Sequence, residues 1–92
     1  MIESFRDSDT EALFQRRRVR RWTPIERVAL RKLEQLDLAT RIEDMRAPPG
    51  NRLEKLHGDR AGQWSVRIND QWRVCFRFER GNALDVQIVD YH

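Results

Sequence analysis

The sequence predicts a single α+β domain, and three observations carry that prediction. After Gly62 the apolar residues recur at every second position through three successive runs. Before that, apolar residues fall three and four apart between Ile25 and Leu36. Between these two regimes lies Ala47-Pro48-Pro49-Gly50-Asn51, the strongest loop signal in the chain. A period of two describes half-buried strands, and a period near 3.6 describes a helix with one apolar face. Together they describe helices laid on one face of an antiparallel sheet.

Taken in order, Met1–Phe5 reads as a short strand. Asp9 is placed to cap a short helix over Thr10–Arg16, with Ala12 and Leu13 turned inward. Thr23-Pro24 reads as an N-cap followed by proline in the first turn, with Glu26 completing a capping box. Ile25, Val28, Ala29, Leu33 and Leu36 form the stripe of the second helix, which should end near Leu38. A further helical turn or two is expected over Ala39–Met45.

The strands follow. Trp64, Val66 and Ile68 alternate with Ser65, Arg67 and Asn69. Trp72, Val74, Phe76 and Phe78 alternate with Arg73, Cys75, Arg77 and Glu79. Leu84, Val86 and Ile88 alternate with Asp85, Gln87 and Val89. A two-residue turn at Asn69-Asp70 would oppose apolar to polar residues, so the pattern requires an odd loop. That loop opposes Trp64 to Phe76, Ser65 to Cys75, Val66 to Val74 and Arg67 to Arg73. The same logic across Arg80-Gly81-Asn82 opposes Phe76 to Val86, Arg77 to Asp85 and Arg73 to Val89.

Length and composition narrow the function. The 92 residues fit one domain, 1–92, with 36% charged residues and a net charge of +3. No apolar run approaches the ~18 residues of a membrane span, and charge follows the first five residues where a signal peptide would be apolar. One cysteine, Cys75, rules out an internal disulfide framework and a multi-cysteine zinc site. With only His57 and His92 beside it, neither a metal nor a cofactor is expected. A cytoplasmic protein is the expectation.

Net charge conceals the useful pattern. Of the 18 basic residues 16 are arginine, and Arg16–Lys32 holds eight bases against one acid. Arginine presents a planar fork matched to phosphate oxygens. Arg16, Arg17, Arg18, Arg20 and Arg21 lie between the two helices, either as a solvated linker or as a contact for nucleic-acid backbone. Arg67 and Arg73 form a second feature, directly opposed with no acid in the pairing. Opposed like charges destabilise a sheet unless neutralised. A phosphate group would do so, as would two side chains splayed into water.

The last three residues, Asp90-Tyr91-His92, put a carboxylate, a phenol and an imidazole in succession, beside a core strand. They are a source of acid–base groups or a polar tail. Alternation places Tyr91 on the Arg67–Arg73 face, with Asp90 and His92 on the other.

These residues resemble a known family. Met1-Ile2-Glu3-Ser4-Phe5, Gly58-Asp59-Arg60-Ala61-Gly62-Gln63-Trp64-Ser65, Arg67-Ile68-Asn69-Asp70-Gln71-Trp72-Arg73 and Asp90-Tyr91-His92 resemble the HigB branch of the RelE-like toxins. The resemblance implies a RelE-like fold and the toxin half of a bacterial type II toxin–antitoxin pair. It implies a ribosome-dependent endoribonuclease that cuts mRNA in the A site without a metal. As partners it implies a HigA-like antitoxin with a helix-turn-helix, the 70S ribosome and mRNA, and operator DNA reached only through the antitoxin complex. Arg73, Asp90, Tyr91, His92 and Glu54 take the catalytic positions. Arg67, Arg60, His57 and Gln71 take RNA- or phosphate-binding positions, and the Arg16–Arg21 run takes a ribosome or antitoxin contact.

One departure bears on activity. The family often carries histidine four residues before the Gly-Asp-Arg motif, where this chain has Glu54. A carboxylate is a weaker base than imidazole at neutral pH, so cleavage is expected to be slower than in members with the histidine. The alternative function is a weakly active or non-catalytic RNA- or antitoxin-binding module of the same fold. A DNA-binding repressor is disfavoured, because the basic cluster lies in a linker and not in a helix-turn-helix.

Overall fold

The computed structural model describes residues 1–91. Helix α1 spans Ser8–Phe14 and α2 spans Glu26–Leu38, and both pack on one face of a four-stranded antiparallel sheet. The strands are β1 (Glu54–Lys55), β2 (Trp64–Arg67), β3 (Trp72–Glu79) and β4 (Asn82–Asp90), in the spatial order β1-β2-β3-β4. Short 3₁₀ turns occupy Arg20–Ile25, Ile42–Arg46, Pro49–Asn51 and Gly58–Arg60. Among the described residues no helix is long and apolar enough to cross a membrane.

The helix ends differ from those expected. Asp7, not Asp9, caps α1: its carboxylate accepts the Thr10 N–H at 2.6 Å. The helix stops at Phe14 because Arg16 turns left-handed, at φ 65°. The Arg16 and Arg17 N–H groups then return to the carbonyls of Leu13 and Ala12, both at 2.9 Å, which is a Schellman closure. Thr23 and Pro24 lie in the 3₁₀ turn before α2 instead of capping it, and the Thr23 hydroxyl donates to the Arg20 carbonyl at 2.8 Å. Burial of Val19, Trp22 and Ile25 pins that turn to the core and leaves the true helix to begin at Glu26.

The stripe of α2 is seated as expected, with Ala29, Leu33 and Leu36 fully enclosed against Val66, Val74, Phe76 and Val86. Trp64 and Trp72 are half-buried and packed on this core, Trp72 edge-on to Trp22 with ring centroids 6.1 Å apart.

The β2–β3 register is the one the alternation demands: Trp64 opposes Phe76, Ser65 Cys75, Val66 Val74 and Arg67 Arg73. The β3–β4 pair departs from expectation at one end. Arg80 and Gly81 make a two-residue turn, both with positive φ. A side chain at Gly81 would also approach the Thr40 carbonyl to 3.1 Å. The two-residue turn shifts the register by one, so Arg77 opposes Leu84 rather than Asp85. The irregularity between Cys75 and Arg77, where Asp85 has φ 53°, restores the expected pairing of Cys75 with Gln87 and Arg73 with Val89. Because one residue of slip reverses the faces, Ala83 replaces Leu84 in the core.

Met1–Phe5 runs parallel to β4 through isolated bridges, Ile2 to Ala83 and Phe5 to Val86, instead of forming a full strand. It spans the bulge with a side chain: Ser4 Oγ accepts the Asp85 N–H at 2.8 Å. Farther along, buried Thr10 accepts the Ile88 N–H at 3.1 Å, so α1 is stitched to the same edge. An otherwise open β4 edge is thereby covered.

Candidate functional site

The sheet face away from the helices carries Ser65, Arg67, Arg73, Cys75 and Arg77 by alternation, with Gln87 and Val89 opposite on β4. Arg73 is central to it and only 8% exposed. Its Nε donates to Ser65 Oγ at 2.8 Å, and its Nη2 to the carbonyls of Arg52 at 2.6 Å and Ser65 at 3.4 Å. All three acceptors are neutral. The guanidinium is thus locked in place while its positive charge stays available to an anion.

Two further groups close on it. Tyr91 continues the ladder past β4, its N–H donating to the Gln71 carbonyl at 2.6 Å, which lays its ring 5.3 Å from the Arg73 guanidinium carbon. The Tyr91 hydroxyl donates to Glu54 Oε1 at 3.3 Å. Glu54 reaches this position because β1 pairs it with Ser65, the residue that also holds Arg73. A carboxylate, a phenol and a fixed cation converge on one exposed patch. Strand β1, two charged residues long, has no periodicity to reveal it.

The remaining predicted residues divide. Gln71 Nε2 donates to Asp90 Oδ2 at 3.1 Å, and Asp90 pairs with Trp72, so its side chain belongs to the opposite face from Tyr91. His57 stands exposed at the head of the Gly58–Arg60 turn, outside the contacts that join Glu54, Tyr91 and Arg73. His92 lies outside the described residues. Arg60 is half-buried over the same sheet face, donating to Gln63 Oε1 at 3.2 Å and Gln87 Oε1 at 3.5 Å.

The expectation that Arg67 lacks an acid is corrected. The connection between β2 and β3 folds Asp70 back onto it as an ion pair, and this guanidinium holds the Asp70 carboxyl below its usual range. Arg77 is paired twice, with Glu79 and with Asp85 Oδ2 at 3.2 Å, and both partners hold its proton more tightly. Burial pushes the Cys75 thiol up, against the pull of Arg60 and Arg73, consistent with a structural residue.

The arginine run is less cationic than its count suggests. Arg16 pairs with Glu34, Arg18 Nε with Glu26 at 3.7 Å, and Arg21 with Asp9 at 2.9 Å while it covers the Trp22 ring at 4.4 Å. Arg17 donates to the neutral Gln15 amide, and exposed Arg20 supplies the carbonyl that Thr23 binds. Through Trp22 and Trp72 the run is anchored at the end of the sheet where Gln71, Asp90 and Tyr91 lie.

Support for the site comes from residues with no sequence signature. Asn51 is fully buried: it accepts from buried Lys32 and donates to Gln35 Oε1 at 3.1 Å, the Met45 carbonyl at 3.0 Å and the Ala47 carbonyl at 3.2 Å. Burial lowers the Lys32 pKa, with Arg31 adding repulsion. This network fixes the bend at Arg52, φ 45°, whose carbonyl anchors Arg73. The sequence offers Asn51 only as a turn residue. Ser65, by contrast, was readable from the register that set it on the face of Arg73. Among the described residues no group of three or more His, Cys, Asp or Glu is placed to hold a metal ion.

Comparison with known proteins identifies the family. The family described as RelE-like toxin of type II toxin-antitoxin system HigB matches residues 3–92. Toxin HigB-1 of Vibrio cholerae serotype O1 is 39% identical over 90 residues, covering 96% of this chain and 95% of its own. Endoribonuclease HigB of Proteus vulgaris is 34% identical over the full length of both chains. Among solved structures, a chain of the YoeB-YefM complex from Staphylococcus aureus superposes with a TM-score of 0.58 at 14% identity, covering 100% of this chain and 98% of that one. That likeness establishes the RelE-type fold. On the extent and identity of these matches, the chain belongs to the HigB-like toxins of type II toxin–antitoxin systems.

Proposed function

We propose that the chain is the toxin of such a pair and acts as a ribosome-dependent endoribonuclease on mRNA. The observation that carries this reading is the convergence of Glu54, Tyr91 and buried Arg73 at one exposed patch. A homologue bearing the name endoribonuclease supports it.

In the proposed reaction a ribose 2′-hydroxyl attacks the adjacent phosphorus and the bond to the 5′-oxygen breaks. The products are a 2′,3′-cyclic phosphate and a free 5′-hydroxyl. Glu54, directly or through Tyr91, takes the 2′-hydroxyl proton, and Arg73 stabilises the charge that builds on the phosphoryl oxygens. The proton required by the departing 5′-oxygen comes from the terminal Asp90-Tyr91-His92 segment. Every charge and proton in this scheme is supplied by side chains. RNA is the substrate because DNA has no 2′-hydroxyl.

The partner in this reading is a HigA-like helix-turn-helix antitoxin, and the complex represses its own operon from operator DNA. The fold neighbours are chains of a YoeB-YefM toxin-antitoxin complex, which supports an antitoxin partner. The Glu54–Tyr91 contact that caps this patch is exposed, which fits a reaction whose remaining walls are ribosome and mRNA. The cytoplasm is the compartment where these meet.

Translating ribosomes incubated with the wild-type protein should yield mapped mRNA breaks that Arg73→Ala abolishes. Intact mRNA with the wild type overturns the nuclease reading. It would favour the second one, a binding module with little activity, which Glu54 at the family's histidine position supports. Equal cutting of free RNA would overturn ribosome dependence.

A further inference from the structure

A second cluster lies beside the Glu54–Tyr91–Arg73 patch, and the proposed reaction does not use it. A notch of about 320 Å³ is lined by Arg6, Asp59, Arg60, Gln63 and Gln87. Three separate parts of the chain build it. The Phe5–Val86 bridge and the Arg6 N–H to Val86 carbonyl bond, 2.9 Å, bring Arg6 alongside Gln87. The Gly58–Arg60 turn and Gln63 close it from the side of β2.

Arg60 organises the interior. By donating to both Gln63 Oε1 and Gln87 Oε1, it turns the two amide oxygens toward itself. Both side-chain amides are thereby fixed in the lining beside the guanidinium. Two guanidinium groups and two neutral amides line it against a single acid, exposed Asp59. That is a lining with a net positive charge, in a volume that admits a small anionic group.

Its position supplies the identity of the anion. Gln87 opposes Cys75, and Cys75 lies two residues along β3 from Arg73 on the same face. Two strand residues span roughly 7 Å. Arg60 reaches Gln87 on one strand, and the register sets Gln87 beside Cys75 and Val89 beside Arg73, so the two clusters are neighbours on one sheet face.

We infer that this notch binds a second phosphodiester of the same RNA strand, next to the linkage held at Arg73, with Arg60 and Arg6 as its cations. The inference rests on the RNA-cleaving reading above and extends it to a subsite that holds the strand in register. Asp59 at the rim opposes the anion and weakens the subsite.

The test is an NMR titration of the intact protein with a three-nucleotide RNA carrying 2′-O-methyl groups, which prevent cleavage. A second probe has one of its two linkages replaced by an uncharged methylphosphonate. The wild type should bind the doubly charged probe about tenfold more tightly. The amide signals of Arg60, Gln63 and Gln87 should shift only with that probe, whereas Tyr91 should shift with both. In Arg60→Gln, and separately in Arg6→Gln, most of the tenfold preference should vanish while Tyr91 still responds. The same spectra report that each variant is folded. Asp59→Asn should enlarge the preference.

Equal affinity of the wild type for both probes, with Tyr91 shifting, overturns the notch and leaves the RNA reading standing. Undiminished preference in both arginine variants also overturns it. No shift at Tyr91 or in the notch up to millimolar probe overturns the notch, while mRNA breaks on translating ribosomes decide the RNA-cleaving reading separately.

Discussion

Arg73 and the arginines of Arg16–Arg21 carry the same group into opposite surroundings. The run between the helices is exposed, and three of its five guanidiniums are paired with carboxylates from α2 and α1. Arg73 is buried, held by three neutral oxygens and capped by an aromatic ring. Counting charges along the sequence ranks the run first. Counting partners reverses the order, because a paired surface arginine is screened twice, by its acid and by water. A cation held by neutral acceptors under partial burial keeps its field for a ligand.

The sharpest way to break this contrast is to remove Arg73. Arg73→Ala should lower mRNA cleavage by about 10²- to 10³-fold, the scale of losing a preorganised donor for developing charge. Rates from mapped breaks on translating ribosomes measure it, and a loss below tenfold would show that Arg73 is only structural. Glu54→Gln keeps the hydrogen-bonding shape but not the basicity. It should cost about 10²-fold, at the low end for general-base catalysis.

The support beneath Arg73 is tested by stability. Asn51→Ala leaves Lys32 and the Met45 and Ala47 carbonyls short of a partner. Denaturant unfolding should show a loss of about 1–3 kcal/mol. In the surface run, Arg18→Gln and Arg21→Gln should each change stability by less than about 1 kcal/mol. A larger loss there would erase the contrast.

Arg67 occupies the middle ground, since it lies on the functional face yet is paired with Asp70. Asp70→Asn should free it and tighten binding of uncleavable RNA a few-fold. The same change has an acid-range signature. Arg67 depresses the Asp70 pKa from 3.8 in the folded state. The pair therefore stabilises the fold above 3.8 and ceases to do so as pH falls through the lower, folded value. Acid unfolding of Asp70→Asn should lack that small contribution.

Much of this was legible because periodicity encodes burial. The alternation from Trp64 to Val89 set which residues face the helices, and the β2–β3 register followed, placing Arg67 opposite Arg73 and Ser65 opposite Cys75. Tyr91 directly follows β4, so it could be placed on that face in advance. The stripe from Ile25 to Leu36 was equally clear. Where the reading failed, local and tertiary preferences competed. Thr23-Pro24 is a sound helix start by local chemistry, yet burial of Trp22 moved the start to Glu26. Leu84 is the better core residue by hydropathy, yet the tight Arg80-Gly81 turn gave the place to Ala83.

The sequence by itself determined the α+β architecture, the paired faces of the sheet and the arginines presented on one of them, since these depend on short-range repeats. Only the tertiary structure decided which arginines are neutralised, that Asp70 folds back onto Arg67, and that Glu54 meets Tyr91. Those contacts join residues as far as 37 positions apart. They depend on loop paths and a single bulge, for which a linear pattern carries no period.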